Sequence, residues 1–260
     1  MKFGKFVSAL APIAALALAA ALSGCNGADI KIDGADGKKL SELDLTGAAP
    51  DEVILLGPDE VKITEGAKLA ITVDGEPAAS EAIRFSLKGG TLAILRKDIN
   101  WRKAEGKTVL VNVTMPAPRQ ITLAGSGKIS SAALAANAKI IVAGSGVVET
   151  PSVAGESLDV NLAGSGRYRA AGNARTLTLM IAGSGTAELD ALKAETAKVT
   201  VAGSGSARFA SDGTVKADIM GSGEVTVRGR ATCTVTTMGS GKLVCETQPD
   251  APKAAKPAAK

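Results

Sequence analysis

Seven serines each stand between two glycines, at Ser126, Ser145, Ser165, Ser184, Ser204, Ser222 and Ser240, and three cysteines, Cys25, Cys233 and Cys245, add thiols. Serine or thiol nucleophiles need a neighbouring base, most often histidine. The 260-residue chain has no histidine, which rules out Ser-His-Asp and Cys-His catalysis. Gly125-Ser126-Gly127-Lys128 and Gly239-Ser240-Gly241-Lys242 carry the glycines and lysine of a phosphate cradle. Neither lysine is followed by Ser or Thr, and the first glycine is at the wrong spacing. Histidine-based or closely paired cysteine metal sites are absent from the sequence, and the glycine corners lack the aspartate of calcium-binding nonapeptide repeats. Asp190, Lys193, Glu195 and Lys198 are close enough in sequence for the acid and base cluster of a polysaccharide-cleaving enzyme. A charged, solvated loop explains them more simply. No catalytic residue, metal or cofactor is expected.

The serines are therefore read as parts of a scaffold. They recur 19, 20, 19, 20, 18 and 18 residues apart, a period that marks a solenoid, propeller or array. Their flanking glycines are Gly125 and Gly127, Gly144 and Gly146, Gly164 and Gly166, Gly183 and Gly185, Gly203 and Gly205, Gly221 and Gly223, and Gly239 and Gly241. Sharp corners use glycine where a positive φ would penalise a Cβ. Five residues before each serine stand Ile121, Ile140, Val160, Leu179, Val199, Ala217 and Val235, and three before it Leu123, Val142, Leu162, Ile181, Val201, Ile219 and Thr237. Mostly polar residues occupy the positions between, the alternation of a strand with one buried face. Past the corner, Ile129, Val148, Tyr168, Ala187, Ala207, Val225 and Leu243 resume the inward column.

The next, outward column reads Ser130, Glu149, Arg169, Glu188, Arg208, Thr226 and Val244, with its four charges alternating in sign. Stacking consecutive coils in parallel, about 4.8 Å apart, sets each charge beside its opposite. A coil of about 19 residues has a perimeter of roughly 60 Å, enough for two or three short strands around a narrow core. The expected fold is all-β, a right-handed parallel β-solenoid (β-helix) with coils of about 18–20 residues. A propeller is the weaker alternative, since its blades take about 40 residues.

The chain opens with Lys2 and Lys5, an apolar run to Leu22, and then Leu22-Ser23-Gly24-Cys25. This pattern is that of a secretory signal, and its last four residues resemble the lipobox of bacterial lipoproteins. The resemblance implies cleavage after Gly24, lipidation of Cys25 and, with Asn26 beside it, sorting to the outer membrane; an ordinary cleaved signal is the alternative. Several acyl chains give durable membrane anchoring. Loss of Lys2 and Lys5 would lower the formal charge from +4 to +2. With charges of both signs interspersed, nucleic acid is not an expected partner. Phe85, Trp101, Tyr168 and Phe209 would be the only aromatics left, too few for stacking on bases or sugars.

The expected organisation is a signal peptide over 1–24, a lipidated N-terminus and tether over 25–48, N-terminal coils and cap over 49–118, the Gly-Ser-Gly solenoid over 119–247, and a disordered Pro/Ala/Lys tail over 248–260. Strand patterns in 49–118 fall at Val53 to Leu56, Val61 to Thr64, Leu69 to Val73, Ile83 to Leu87, Leu92 to Leu95 and Val109 to Thr114. Cys233 and Cys245 stand in columns occupied one coil earlier by Val215 and Val227. That places both thiols inward on facing walls of the last coil. In an oxidising envelope they would form a disulfide that holds this coil; two free buried thiols are the alternative.

Gly57-Pro58-Asp59-Glu60-Val61-Lys62-Ile63, the strand from Leu92 to Leu95, Val109 to Pro116, and Ile121-Thr122-Leu123-Ala124-Gly125-Ser126-Gly127 resemble the auto-transporter adhesin, head GIN domain family. The resemblance runs from about Leu45 to Glu246. It implies a secreted or envelope-bound parallel β-solenoid and transfers no catalytic residues. The chain has no C-terminal run of ten-residue alternating strands for a membrane barrel, so lipid would replace barrel as the anchor. Three functions remain: a membrane-anchored surface that binds a surface polysaccharide or protein, a structural envelope lipoprotein without a dedicated ligand, and, third, a carbohydrate-active β-helix enzyme.

Overall fold

The computed structural model describes residues 37–97 and 108–247. The signal sequence, Cys25, Trp101 and the tail from 248 lie outside the described residues. Strands make up 70% of the chain and wind into a parallel β-solenoid of about 7 turns.

The strand patterns before the repeats form β1 (Glu52–Leu56), β2 (Glu60–Glu65), β3 (Ala70–Asp74), β4 (Ile83–Lys88), β5 (Thr91–Arg96) and β6 (Leu110–Met115), with a short helix α1 (Pro77–Ser80) after β3. The repeats follow as β7 (Gln120–Gly125), β8 (Lys128–Ser131), β9 (Asn137–Gly144), β10 (Val147–Gly164), β11 (Arg167–Gly183), β12 (Thr186–Gly203), β13 (Ser206–Gly221), β14 (Glu224–Gly229), β15 (Thr232–Gly239) and β16 (Lys242–Thr247). From β7 onward each coil stacks on the one before it in parallel register. Ile121 pairs with Ile140, Ile140 with Val160, Val160 with Leu179, and Leu179 with Val199. These inward columns are buried in one continuous hydrophobic core as far as Val227, and open to solvent only in the last coil.

The Gly-Ser-Gly corners use their two glycines for different reasons. At Gly183 the backbone has φ +117°, and a Cβ would stand 2.6 Å from Gly164 O in the coil below. At Gly205 φ is not in that region; its Cβ would meet the Ile181 side chain and would stand 2.8 Å from Gly185 O. The first glycine thus serves conformation and the second serves closeness of stacking. The serines between them are exposed.

The early coils do not wind in chain order. β1 lies between β5 and β7, and β2 between β6 and β8, all parallel. The chain lays down β1 and β2, crosses to the end of the stack, returns below them as β5 and β6, and then resumes above them as β7 and β8. On the way it leaves β3 antiparallel against β6 and β4 antiparallel against β5. A bridge between Lys38 and Phe85 covers β4 in turn, and Leu40, Leu43 and Leu45 pack on the core. These antiparallel strands close the N-terminal end, where an open parallel edge would invite pairing with other chains.

Gly57, Pro58 and Asp59 occupy the corner column directly beneath Gly125, Ser126 and Gly127. Gly127 N–H donates to Gly57 O at 3.0 Å and Lys128 N–H to Asp59 O at 3.0 Å. Where later coils carry the second glycine, this one carries a buried aspartate. Its carboxylate accepts from Arg96 through both Nε, at 3.0 Å, and Nη2, and from Val109 N–H at 3.0 Å. Asp59 and Arg96 are 1% and 6% exposed. This pair ties β1 and β2 to the coil the chain makes afterwards.

At the other end, among the described residues, β15 pairs only with β13 and β16 only with β14. Cys233 and Cys245 are joined by a disulfide across this last coil, with Cα atoms 6.7 Å apart.

Candidate binding surface

The outward column continues through the stack as Ser130, Glu149, Arg169, Glu188, Arg208, Thr226 and Val244, each residue paired with the next. Three of its four charges, Glu149, Arg169 and Glu188, are bonded along the axis. Arg169 Nη1 donates to Glu149 Oε1 at 3.1 Å and Arg169 Nε to Glu188 Oε2 at 2.6 Å. Lys128 Nζ approaches Glu149 Oε2 at 2.9 Å, and Arg167 Nε approaches Glu188 Oε1 at 2.8 Å. The Lys128 ammonium, then the Arg169 guanidinium, hold the Glu149 carboxyl below the usual range against partial burial. The Glu149 carboxylate raises Lys128 in return, and Glu188 followed by Glu149 raises Arg169. Each shift deepens a charge already present at neutral pH, so none of these three groups is poised to exchange a proton there.

Beside this ladder the strands bend and open an outer groove of about 460 Å³, lined by Glu149, Pro151, Arg169, Ala171, Glu188 and Ala191 among others. Register shifts locate the bend, between Thr150 and Val153, between Arg169 and Ala171, and between Leu189 and Lys193. A surplus residue bends its strand and swings the next wall round. Serines 20 residues apart bracket two of these sites, from Ser145 to Ser165 and from Ser184 to Ser204. The longer coils therefore store the extra residues that shape the groove. Beneath it the core carries one hydroxyl pair, Tyr168 Oη and Thr150 Oγ1 at 2.7 Å. Burial pushes the Tyr168 phenol up, so it stays neutral and satisfied.

Asp190, Lys193, Glu195 and Lys198 do not form a loop. All four lie on β12 across its register shifts. Three of them pair with different coils: Asp190 with Arg228 at 3.2 Å, Lys193 with Asp212 at 2.6 Å, and Glu195 with Arg175 at 3.7 Å. They are stacking contacts rather than a convergent acid and base set. Among the described residues no group of three or more carboxylates and thiols could hold a metal ion. The seven serines follow the corner line of the rod and are not drawn together at any one point.

The model for the family described as "Putative auto-transporter adhesin, head GIN domain" matches residues 49–231. The chain belongs to this family. Solved structures share the GIN-domain fold. A putative adhesin from Bacteroides fragilis aligns with TM-score 0.69 at 19% identity, over 76% of this chain and 92% of that one. A structure described as a putative lipid binding protein from Parabacteroides distasonis aligns with TM-score 0.60 at 21% identity, over 76% and 93%. A putative adhesin from Parabacteroides merdae aligns with TM-score 0.54 at 14% identity, over 76% and 92%. None of the three carries the name of an enzyme. Among curated proteins, none matches the chain.

Two features do not show in the repeat pattern alone. The groove lies at Pro151, Ala171 and Ala191, which break the apolar alternation and carry no motif; the uneven coil lengths were its signal. The Asp59–Arg96 pair was hidden because Gly57-Pro58-Asp59 does not read as a Gly-Ser-Gly corner until the coils are stacked.

Proposed function

We propose that this GIN-domain protein is a lipid-anchored envelope protein whose outer groove is an adhesin-like surface for an extended polymer, either a surface polysaccharide or a protein segment. The groove carries this reading. It crosses coils spaced about 4.8 Å apart, it mixes small apolar side chains with polar ones, and its charges already neutralise one another along the ladder. Such a surface suits many weak, repeated contacts to an uncharged or zwitterionic chain rather than capture of one ion. Family membership supports a surface or envelope location, and Leu22-Ser23-Gly24-Cys25 supports the anchor. Mass spectrometry of membrane-extracted protein should find acyl mass on Cys25.

Binding is tested by presenting the soluble chain to bacterial cells and to arrayed glycans and matrix proteins, with Ala191→Arg as the variant. Ala191 is exposed on the groove wall, so the longer side chain fills the groove without touching the core. Binding to one class of ligand that this variant reduces about tenfold or more supports the reading. Equal binding by both forms would place adhesion on another face. No binding, together with envelope defects on deletion, would leave the structural lipoprotein without a ligand.

A further inference from the structure

The two ends of the rod differ in a way that selects a partner. The N-terminal end is closed by antiparallel β3 and β4, so a solenoid cannot be extended by stacking one copy head to tail on the next. At the other end, among the described residues, β16 has β14 on one side and no strand on the other. The core is also open there, with the inward-column Val235 45% exposed. Lys242 N–H donates down to Gly223 O at 3.0 Å. By the alternation of a strand, the N–H and C=O of Leu243 and Cys245 then point away from the stack.

The outward side chains of β16 read Lys242, Val244, Glu246, over Glu224, Thr226, Arg228 of β14. The two rows are complementary: Lys242 Nζ lies 3.3 Å from Glu224 Oε1, and Arg228 Nε lies 3.5 Å from Glu246 Oε2. A second copy of β16, laid antiparallel across a two-fold axis at Val244, presents Glu246, Val244 and Lys242 in that order. This has the same sign at each position as the β14 row. The same register makes Leu243 and Cys245 of one copy the hydrogen-bonded partners of Cys245 and Leu243 of the other. Those are the residues whose backbone groups face outward. The disulfide joins β15 to β16, so the two walls of the last coil enter such a contact as one unit.

We infer that the open last coil is a homodimer interface, closed by antiparallel pairing of β16 with β16 of a second copy about Val244. Such a contact is isologous and stops at two chains. It places the two capped ends at opposite extremes of the assembly. The inference is independent of what the outer groove binds.

The test is sedimentation or light scattering of the full chain carrying Cys25→Ser, which removes the proposed lipid acceptor. Wild type at this interface should dimerise in a concentration-dependent way. Lys242→Glu sets like acidic charges against each other at both symmetry-related positions, and Glu246→Lys does the same with basic ones. Each variant alone should weaken the dimer about tenfold or more. A mixture of the two restores opposite charges at both positions and should recover a heterodimer, provided circular dichroism shows both variants folded. A chain that stays monomeric at every concentration overturns the inference, as does a dimer indifferent to both variants. A chain that dimerises only after removal of residues 248–260 also overturns it, because the tail would then be the edge's own cover.

Discussion

Replacing Asp59 by asparagine keeps the shape of the corner beneath Gly125 and removes one charge. In the folded chain the carboxylate accepts from Arg96 Nε and Nη2 and from Val109 N–H. Both partners of the ion pair are almost fully buried, Asp59 at 1% and Arg96 at 6% exposed. Asparagine leaves one acceptor oxygen and puts an amide where the guanidinium needs an anion. Breaking a buried pair by losing one partner costs about 3–5 kcal/mol, against a total stability of roughly 5–15 kcal/mol. At about 2–4 °C per kcal/mol for a chain of this size, the melting midpoint followed by circular dichroism should fall by about 6–20 °C. Hydrogen exchange should show the loss first in β1, β2, β5 and β6, which the pair ties together. Replacing both partners with apolar residues, Asp59→Leu with Arg96→Met, should recover much of the loss, since no uncompensated charge remains. An Asp59→Asn midpoint within about 2 °C of wild type, worth less than about 1 kcal/mol, would refute the view that this pair fastens the interleaved coils.

The corners and the charge ladder give two further tests. Gly183→Ala forces a Cβ onto φ +117° and to 2.6 Å from Gly164 O, and should cost about 3 kcal/mol or more. Ser184→Ala beside it, at an exposed position, should stay within about 0.5 kcal/mol; equal losses in urea unfolding would contradict the corner assignment. Because Lys128 and Arg169 hold the folded Glu149 carboxyl below its ordinary 4.5, its stabilisation is fully present above pH 4.5 and is lost as pH falls through the lowered folded value. Melting midpoints of wild type should therefore drop more steeply than those of Glu149→Gln as the buffer is taken below pH 4.5, and parallel curves would show that the ladder contributes nothing measurable.

The repetitive part of this fold is legible in sequence because one constraint is restated in every coil. An inward position such as that of Ile121 is buried against its equivalents above and below, so each coil needs an apolar residue there, and the alternation repeats. The charge column at Glu149, Arg169 and Glu188 is legible for the same reason: parallel stacking makes sequence neighbours at one period into spatial neighbours. What happens once only is not legible. The strands from β1 to β6 announce themselves by their alternation, yet nothing in them states that β1 and β2 will be held between coils made later. That order is set by contacts between residues far apart in sequence, chiefly Asp59 with Arg96 and with Val109. The groove was obscure because its residues are defined by surplus rather than by pattern. Pro151, Ala171 and Ala191 take their places from register shifts that a periodic alignment treats as noise.

A parallel solenoid grows by adding edges, so its ends decide whether it remains one molecule. Here the chain spends β3, β4 and the segment around Lys38 on closing the end where the repeats begin. It fastens the other end with a disulfide, and among the described residues the β16 edge and the Val235 core position stay open. The asymmetry has a mechanical consequence for the two proposals together. Cys25 is separated from Gly37, at the closed end, by 12 residues, so a lipid there would hold that end within about 40 Å of the membrane. One wall stacks ten strands, β4-β5-β1-β7-β9-β10-β11-β12-β13-β15, and at about 4.8 Å per step each rod is roughly 45 Å long. Two rods joined across β16 would then set their closed ends roughly 90 Å apart and leave the outer groove of both copies uncovered.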